Sequence, residues 1–413
     1  MKRLATCLLM ASVLGGVGMF SLGALAQGEL NYTTSDPITY PRGIYAGEVA
    51  GVATNSKGHI FVYQRAGNPY SSLGGSRIFV HGQDQVLEFD GAGKFIREIG
   101  KGIYANLVAS SVRVDSHDNV WAVDRYAGMV VKYSPDGSQI LMLLGRKPES
   151  INVTQVGGGG GRGGRGAAAA GGGEPGAEAG AAPAGGRAAA AGGDAGAAPA
   201  AGGRAAAAGG RAAAAGGRGG GGRGRGPAGA GGQQDVITGS SDVAWDASGN
   251  IFISDGYGGN NRIAKFTPDG VFVASFGKTG SDNDSLDNPR SIAVDSDGNV
   301  YVADHNNHRV QVLSNDLKSV VRTISGVGDP AAVCISGGAR PYLYVSNSNP
   351  VNDLDAGGEI YRVDLSGNVL GHFGKAGKAP HEFASVNQLD CRQANTLYTA
   401  EVGGYRVQKV TLR

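Results

Sequence analysis

Charged and aromatic side chains recur at one kind of position in this chain, directly after short apolar segments. The positions read Gln64-Arg65, Asp124-Arg125-Tyr126, Asp255-Gly256-Tyr257, Asp304-His305, Asn347-Ser348 and Glu401-Val402. If the fold brings these positions together, they form a pocket with Arg290 just below them. Arg65, Arg125 and Arg290 would then line the floor of this pocket with positive charge, and Tyr126 and Tyr257 would line its walls. Guanidinium groups bind carboxylates and phosphates in a bidentate geometry. These residue types predict a site for a carboxylate, a phosphate or the acidic end of a peptide. The alternative is that each arginine pairs with an aspartate beside it and binds no ligand.

Metal ligation has less support in the sequence. Of the seven histidines, His305 alone is expected to project from a strand end toward a face where ligands bind. A lone histidine is more often a hydrogen-bonded structural group than a ligand, and no HxxxH, CxxC or carboxylate cluster of metal spacing occurs. We therefore expect no cofactor, with zinc disfavoured and calcium left open. His305 and Asn387 are candidate ligand-binding residues.

The stretch 288–313, NPRSIAVDSDGNVYVADHNNHRVQVL, shows which elements must position these side chains. Alternating apolar residues flank Asp297-Gly298-Asn299, which is typical of two short strands joined by a tight turn. Arg309 begins a third strand of the same kind. A sheet this small cannot bury its own faces, so the unit must pack on copies of itself.

The unit recurs along the chain. Its copies read GVATNSKGHIFV from Gly51, VRVDSHDNVWAV from Val112, VAWDASGNIFIS from Val243, a weaker form from Ala332, and LDCRQANTLYTA from Leu389. Six units of roughly forty to fifty residues match the period of propeller blades. The last unit ends after its third strand, so residues 30–40 are predicted to supply the fourth and close the ring. The predicted fold is an all-β, six-bladed β-propeller.

Residues 1–26 are predicted to be a signal peptide. Lys2 and Arg3 precede an apolar run, and Ala24-Leu25-Ala26 supplies a small-residue cleavage pattern; a membrane anchor is the alternative. We therefore expect export to the periplasm or the extracellular space. In that setting Cys334 and Cys391 either form a disulfide between adjacent blades or remain buried free thiols.

Residues 157–232 consist almost wholly of Gly, Ala and Arg, without an aromatic or branched aliphatic side chain. Such a segment cannot bury enough surface to fold, so it is predicted to be a disordered insertion. It separates residues 27–156, with the closing strand and blades 1 and 2, from residues 233–413, with blades 3 to 6. The missing stacking aromatics and a net charge of only +2 argue against a nucleic-acid partner. No further run is long enough to span a membrane, and we expect a monomer.

The pattern Asp304…Asn307-His308-Arg309-Val310 resembles the NHL repeat, which is named for these residue types. The same acid-then-arginine spacing occurs at Asp255…Arg262 and Glu401…Arg406. A carboxylate that ends the second strand would accept hydrogen bonds from an arginine that enters the third, which would fix the hairpin.

Apart from the insertion, the mature chain resembles bacterial proteins similar to the peptidyl-α-hydroxyglycine α-amidating lyase domain. The resemblance is carried by GEVAGVATNSKGHIFVYQR, FISDGYGGNNRIAKF, GVGDPAAVCIS and LYTAEVGGYRVQKV. In the lyase, three histidines hold a zinc ion on the propeller axis above a calcium ion, and an α-hydroxyglycine peptide is cleaved to a peptide amide and glyoxylate. By this resemblance Arg65 and Tyr257 occupy the positions of a catalytic arginine and a catalytic tyrosine.

The chain departs from the lyase at the metal positions. Ser110, Arg290 and Asn387 stand where the three histidines are expected, and Gln388 replaces an acidic calcium ligand. Zinc catalysis needs about three imidazole or thiolate ligands and an open site. We therefore predict an exported NHL-repeat propeller that is a binding scaffold for an anionic small ligand, a peptide end or a partner protein. The alternative is a lyase or hydrolase with an altered metal site.

Overall fold

A computed structural model describes residues 28–66, 70–73, 77–80, 84–103, 106–145, 236–350, 353 and 355–413. The predicted signal peptide and low-complexity insertion lie outside these described residues. Within them the chain forms six four-stranded antiparallel sheets, together with one separate two-stranded hairpin. The predicted six-bladed β-propeller is therefore confirmed.

Blades 1 to 3 follow one another along the chain. Blade 1 contains β2 (Glu48–Thr54), β3 (Ile60–Arg65), β6 (Gln85–Phe89) and β7 (Phe95–Ile99), with the hairpin β4 (Tyr70–Leu73) and β5 (Arg77–Val80) between β3 and β6. Blade 2 contains β8 (Ala109–Val114), β9 (Val120–Asp124), β10 (Met129–Tyr133) and β11 (Ile140–Gly145). Blade 3 contains β12 (Ser240–Trp245), β13 (Ile251–Asp255), β14 (Arg262–Phe266) and β15 (Phe272–Phe276).

Blades 4 to 6 repeat the arrangement. Blade 4 contains β16 (Pro289–Val294), β17 (Val300–Asp304), β18 (Arg309–Leu313) and β19 (Val320–Ile324), with a 3-10 turn at His305–Asn307. Blade 5 contains β20 (Pro330–Ile335), β21 (Tyr342–Asn347), β22 (Ile360–Asp364) and β23 (Val369–Phe373). Blade 6 contains β24 (Val386–Gln393), β25 (Thr396–Glu401), β26 (Arg406–Leu412) and β1 (Tyr32–Ser35).

The turn between the first two strands of a blade is fixed by its own residues. In blade 4 the Asp295 carboxylate accepts hydrogen bonds from the backbone N–H groups of Asp297 and Asn299, at 3.0 and 2.8 Å. Gly298 has a φ of 85°, which favours glycine. Because these interactions are local, the sequence alone specifies the hairpin.

The N-terminal strand closes the ring, as predicted. β1 pairs with β26 in antiparallel register, from Tyr32 opposite Leu412 to Ser35 opposite Lys409. The Tyr32 ring also packs 5.0 Å from Phe373 of blade 5, measured between centroids. The strand therefore covers the edge that β26 would otherwise expose.

The first strand of each blade contacts the first strands of both neighbouring blades, so six first strands surround a common axis. Each of them carries a register shift near its beginning. One residue lies at the shift in four of these strands (Ala50, Ser110, Ser241 and Asn387), and two residues lie at the shift in β16 (Arg290 and Ser291) and in β20 (Ala331 and Ala332). Ser110, Arg290 and Asn387, which stand at the lyase's histidine positions, thus lie at the bulges of their own first strands.

The predicted contacts between a carboxylate that ends the second strand and an arginine that enters the third, which we call arginine pins, are present in three blades. Nε of Arg309 lies 2.7 Å from the Asp304 carboxylate in blade 4. The corresponding pairs are 3.3 Å for Arg262–Asp255 and 3.2 Å for Arg406–Glu401. In blade 2, where Met129 replaces the arginine, the Asp124 carboxylate instead accepts hydrogen bonds from four backbone N–H groups, those of Leu107, Val108, Tyr126 and Ala127.

Cys334 and Cys391 are joined by a disulfide, with their Cα atoms 6.1 Å apart. The bond links β20 to β24 and therefore ties blade 5 to blade 6 beside the axis. Of the two alternatives left by the sequence, the structure has the disulfide. Among the described residues, no helix has the length and apolar character needed to cross a membrane.

Candidate ligand site at the axial mouth

The predicted arginines and tyrosine meet at the end of the axis where the second strands end, which we call the mouth. The Arg125 guanidinium carbon lies 4.9 Å from the centroid of the Tyr257 ring. Burial raises the pKa of the Tyr257 phenol, but the positive charges of Arg290, Arg125 and Arg65 outweigh burial and hold the pKa below its ordinary value. Arg65, Arg125, Arg290 and Tyr257 therefore form one group, the arginine cluster.

Arg65 has a structural role in addition to its place in the cluster. It is only 7% exposed. Its Nε donates to the Ala109 carbonyl oxygen of blade 2 at 2.9 Å, and its Nη1 lies 2.8 Å from the Glu48 carboxylate. Arg65 thus joins blade 1 to blade 2, and Glu48 offsets part of its charge.

Arg290 lies at the bulge of β16, beside the axis. Its Nε is buried without a hydrogen-bond partner among the described residues. A buried N–H without an acceptor is costly, so this atom is the strongest sign that the cluster accommodates an anion.

His305 lies close to Arg290. Burial, followed by the charge of Arg290, lowers the pKa of His305 to about 4, so the imidazole is neutral at physiological pH. Its Nδ1 is 3.2 Å from the Pro330 carbonyl oxygen. With Nδ1 as the donor in this contact, Nε2 is left as an acceptor.

The two remaining predicted residues lie in different surroundings. Asn387 donates from Nδ2 to the carbonyl oxygens of Ala50 and Ser110, at 2.6 and 2.8 Å, and so bridges three blades across the axis. Tyr126 is 41% exposed, and its backbone N–H donates to Asp124. These contacts are made to backbone carbonyl groups and to the Asp124 carboxylate.

Asp84 is a mouth residue that the sequence reasoning missed. It is 4% exposed, its Oδ2 accepts a hydrogen bond from the Ala109 N–H, and its Oδ1 is buried without a partner among the described residues. Burial raises the pKa of Asp84 to about 7, with the charge of Asp124 adding to burial and that of Arg65 opposing it. Asp84 follows the insertion in blade 1, where the repeat pattern is interrupted. The sequence did contain one signal for Asp84, since it is an acidic residue that directly precedes β6, the third strand of blade 1.

A buried ion pair blocks the axis between the mouth and the opposite end, which we call the base. Nε of Arg113 in β8 is 3.0 Å from an Asp242 oxygen in β12, and Nη2 contacts the other. The Ser291 hydroxyl donates to the same carboxylate at 2.8 Å, and Arg113 Nη1 donates to the Leu389 carbonyl oxygen at 3.2 Å. The sequence carries a signal for Arg113 but not for its partner, because Arg113 stands where the equivalent strands have Ala53, Ala244 and Ala293.

The residues at the lyase's metal positions do not fit a zinc ion. The Asn387 amide nitrogen points its hydrogens at two carbonyl oxygens, and the Ser110 hydroxyl donates to the Ser241 carbonyl oxygen at 2.8 Å. Arg290 contributes a positive charge at the third position. Within the part of the chain that the structure describes, no group of three or more His, Cys, Asp or Glu residues could hold a metal ion.

Comparison with known proteins agrees with this fold. Residues 286–313 match the family model of the NHL repeat, and they span the first three strands of blade 4. The chain is therefore a six-bladed β-propeller that carries an NHL repeat. A crystal structure of a protein of unknown function from Bacteroides thetaiotaomicron has a TM-score of 0.53 and 10% identity, over 93% of this chain and 77% of that one, which shows a likeness of fold alone.

Curated relatives name two kinds of protein. Human NHL repeat-containing protein 3 is 28% identical over 176 residues, which are 39% of this chain and 46% of that protein. Rat peptidylglycine alpha-amidating monooxygenase is 33% identical over 179 residues, 42% of this chain and 18% of that one. A probable peptidyl-alpha-hydroxyglycine alpha-amidating lyase of Caenorhabditis elegans is 28% identical over 152 residues, 35% of this chain and 43% of the relative. The chain thus spans less than half the length of these relatives, and the resemblance inferred from the sequence is confirmed for the scaffold.

Proposed function

We propose that this propeller is a binding protein that holds the carboxylate of a small molecule or of a peptide end in the arginine cluster. The observation that carries the proposal is that the guanidinium groups of Arg65, Arg125 and Arg290 converge on Tyr257. Their positive charges lower the pKa of the Tyr257 phenol, although burial raises it. Among the described residues the buried Nε of Arg290 has no acceptor. A carboxylate would supply this acceptor and pair with the guanidinium charge.

The test compares two ligands that differ in charge alone. N-benzoylglycine carries a carboxylate, and N-benzoylglycinamide replaces it with a neutral amide of similar size. Calorimetric titration should give saturable binding of the acid and at least tenfold weaker binding of the amide. Equal binding of both ligands would refute an anion site.

Variants then locate the site. Arg290→Gln should weaken binding of the acid at least tenfold, because the mutation removes a charge that faces the ligand. Arg340→Gln is the matched control, since Arg340 is exposed in the turn between β20 and β21, at the opposite end of the blade from the mouth. An unchanged affinity in Arg290→Gln would place the ligand elsewhere.

The second candidate function is a lyase of the amidating type, and the lowered pKa of Tyr257 favours it. A tyrosine that loses its proton readily can serve as a general base. In such a reaction Tyr257 would take the hydroxyl proton of an α-hydroxyglycine derivative, the carbon–nitrogen bond would break, and the nitrogen would gain a proton. The products would be an amide and glyoxylate, so the atoms balance without a co-reactant.

The enzyme is tested with N-benzoyl-α-hydroxyglycine by measuring glyoxylate. Release above the spontaneous rate that disappears in Tyr257→Phe, while N-benzoylglycine still binds to that variant, would establish the lyase. Release at the spontaneous rate, with binding retained, would leave the binding protein. The two functions are therefore separated by one variant and two measurements.

We also propose that the protein acts after export, in the periplasm or the extracellular space. The proposal rests on Lys2, Arg3 and the cleavage pattern at residues 24–26. N-terminal sequencing of protein recovered from its native compartment should begin at Gln27. An intact N-terminus on cytoplasmic protein would contradict it.

A further inference from the structure

A cavity at the base of the axis is used by neither proposed function. Its volume is about 470 Å³, and the first strands of all six blades contribute to its lining. This volume lies within the range of small-molecule sites. The cavity is separated from the arginine cluster by the Arg113–Asp242 pair, so a molecule bound in it would not share the mouth.

The wall of the cavity is mainly apolar. Its large apolar side chains include Val114, Val243, Trp245, Ile292, Val294 and Ile335. The Trp245 ring is held against the Trp121 ring, with centroids 5.6 Å apart and planes 25° from parallel. A fixed indole in an aliphatic wall is suited to pack against the face of a ring.

Arg113 offers a polar contact where the cavity meets the buried ion pair. Arg113 has five N–H groups, of which Nε and Nη2 are directed at Asp242, Ser291 and Val333 and one N–H of Nη1 at Leu389. Among the described residues the second N–H of Nη1 has no acceptor. Because Arg113 lines the cavity, this N–H is available to a ligand.

The charges around the cavity balance. Arg113 is paired with Asp242, and the other charged lining residues are Asp390 and Arg392, one of each sign. The Asp390 carboxylate is already engaged by the Thr54 hydroxyl at 2.6 Å. No net charge attracts an ion, in contrast with the arginine cluster.

From this geometry we propose a second ligand site at the base for an uncharged, largely apolar small molecule that contains a ring and one hydrogen-bond acceptor. The ring packs on Trp245, and the acceptor takes the remaining N–H of Arg113. The mouth and the base of the same propeller thus bind different classes of ligand, a carboxylate at the mouth and an uncharged apolar molecule at the base.

The test uses N-phenyl-1-naphthylamine, an uncharged apolar fluorophore that has the rings of the proposed ligand and probes the apolar wall of the cavity. The chain has only two tryptophans, Trp121 and Trp245, and both are close to the cavity. Binding should therefore quench tryptophan emission by energy transfer and saturate at one probe per chain. Quenching that does not saturate would overturn the proposal.

Charge selectivity is tested with 8-anilino-1-naphthalenesulfonate, which has the same rings and an added sulfonate. The uncharged probe should bind at least tenfold more tightly than the sulfonate, measured in Arg290→Gln so that the mouth does not capture the anion. Equal affinity for the two probes would refute a neutral site. Because this experiment reports only on the base, its outcome does not bear on the proposed function at the mouth, and the two proposals can fail separately.

Two variants place the probe in the cavity. Ala293→Phe fills the cavity from the wall of blade 4 and should weaken binding of the uncharged probe at least tenfold. Ser116→Phe narrows the opening at an exposed position and should also weaken it, and this variant keeps the test valid if Ala293→Phe does not fold. Ala92→Phe, in an exposed turn of blade 1, is the matched control. Unchanged affinity in both cavity variants would overturn the proposal.

Discussion

Asp84 shows how a single buried carboxylate makes this protein sensitive to pH. A pKa near 7 means that the folded protein binds a proton between about pH 4 and 7 that the unfolded chain releases. The stability contributed by this proton is present at low pH and is lost as the pH rises through 7. We expect Asp84→Asn to remove this loss, because the amide keeps the acceptor for the Ala109 N–H and carries no charge.

The effect should appear in urea unfolding at two pH values. Asp84→Asn should be more stable than the wild type by about 4 kcal/mol at pH 8 and nearly equal to it at pH 3, below the pKa of the unfolded carboxyl. Asp136→Asn is a control of opposite sign, since hydrogen bonds from Ser134 and Ser138 lower the pKa of Asp136 to about 2. A variant less stable than the wild type at pH 8 would show that the charged form of Asp84 is favoured.

At the scale of the element, removing the arginine pin of blade 4 should cost the protein much of its free energy of unfolding. Nη1 and Nη2 of Arg309 donate to three carbonyl oxygens of the preceding loop, those of Ser281, Asp282 and Ser285. Its Nε pairs with a fully buried Asp304. Arg309→Gln should destabilise the protein by about 3 kcal/mol, because a buried carboxylate loses its partner.

The control for the pin is Lys318→Gln. Lys318 and Asp316 form an exposed pair at 3.3 Å, with side chains 81% and 57% exposed. Exposed pairs contribute less than about 1 kcal/mol, so thermal unfolding should hardly change. Equal losses in the two variants would mean that the pin is no more than a surface pair.

The disulfide between β20 and β24 should stabilise the blade 5 and blade 6 boundary. Its cysteines are 57 residues apart in sequence, and a loop of this length corresponds to about 4 kcal/mol in the chain-entropy account, with measured values usually 2–4. Unfolding of Cys334→Ala/Cys391→Ala should therefore resemble that of the reduced wild type and occur at lower urea than that of the oxidised wild type. Identical unfolding of oxidised and reduced wild type would contradict a stabilising disulfide.

At the scale of the whole molecule, the insertion should be dispensable. The described residues before and after the insertion lie close to each other. Gly145 pairs with Met129, and the Ile237 carbonyl oxygen lies next to Gly128, the residue before Met129. Deleting residues 157–232 leaves residues 146–156 and 233–235 to join these ends. Because a shorter loop costs less entropy to close, the deletion should raise stability by about 1–2 kcal/mol. Loss of a cooperative thermal transition would show that the insertion contributes to the fold.

The sequence by itself determined the blades. Each hairpin is specified within about twelve residues by turn chemistry such as Asp295 with Asn299, and the arginine pins follow from an acid and an arginine five to seven residues apart. The six repeats of this unit then predicted a ring of six blades. Because the last repeat has only three strands, the sequence also indicated that the N-terminal segment supplies the fourth strand of blade 6.

Only the tertiary structure decided which side chains meet. Arg113 and Asp242 are 129 residues apart, and nothing local indicates that they block the axis together. The cost or benefit of a charge depends on its burial and on its neighbours, which repeat patterns do not encode. For this reason the sequence predicted the arginines of the mouth by their position in the repeat. It missed the buried Asp84 beside them and the neutral cavity at the base, because the burial of Asp84 requires blade 2 to pack on blade 1 and the cavity requires six first strands to converge on one axis.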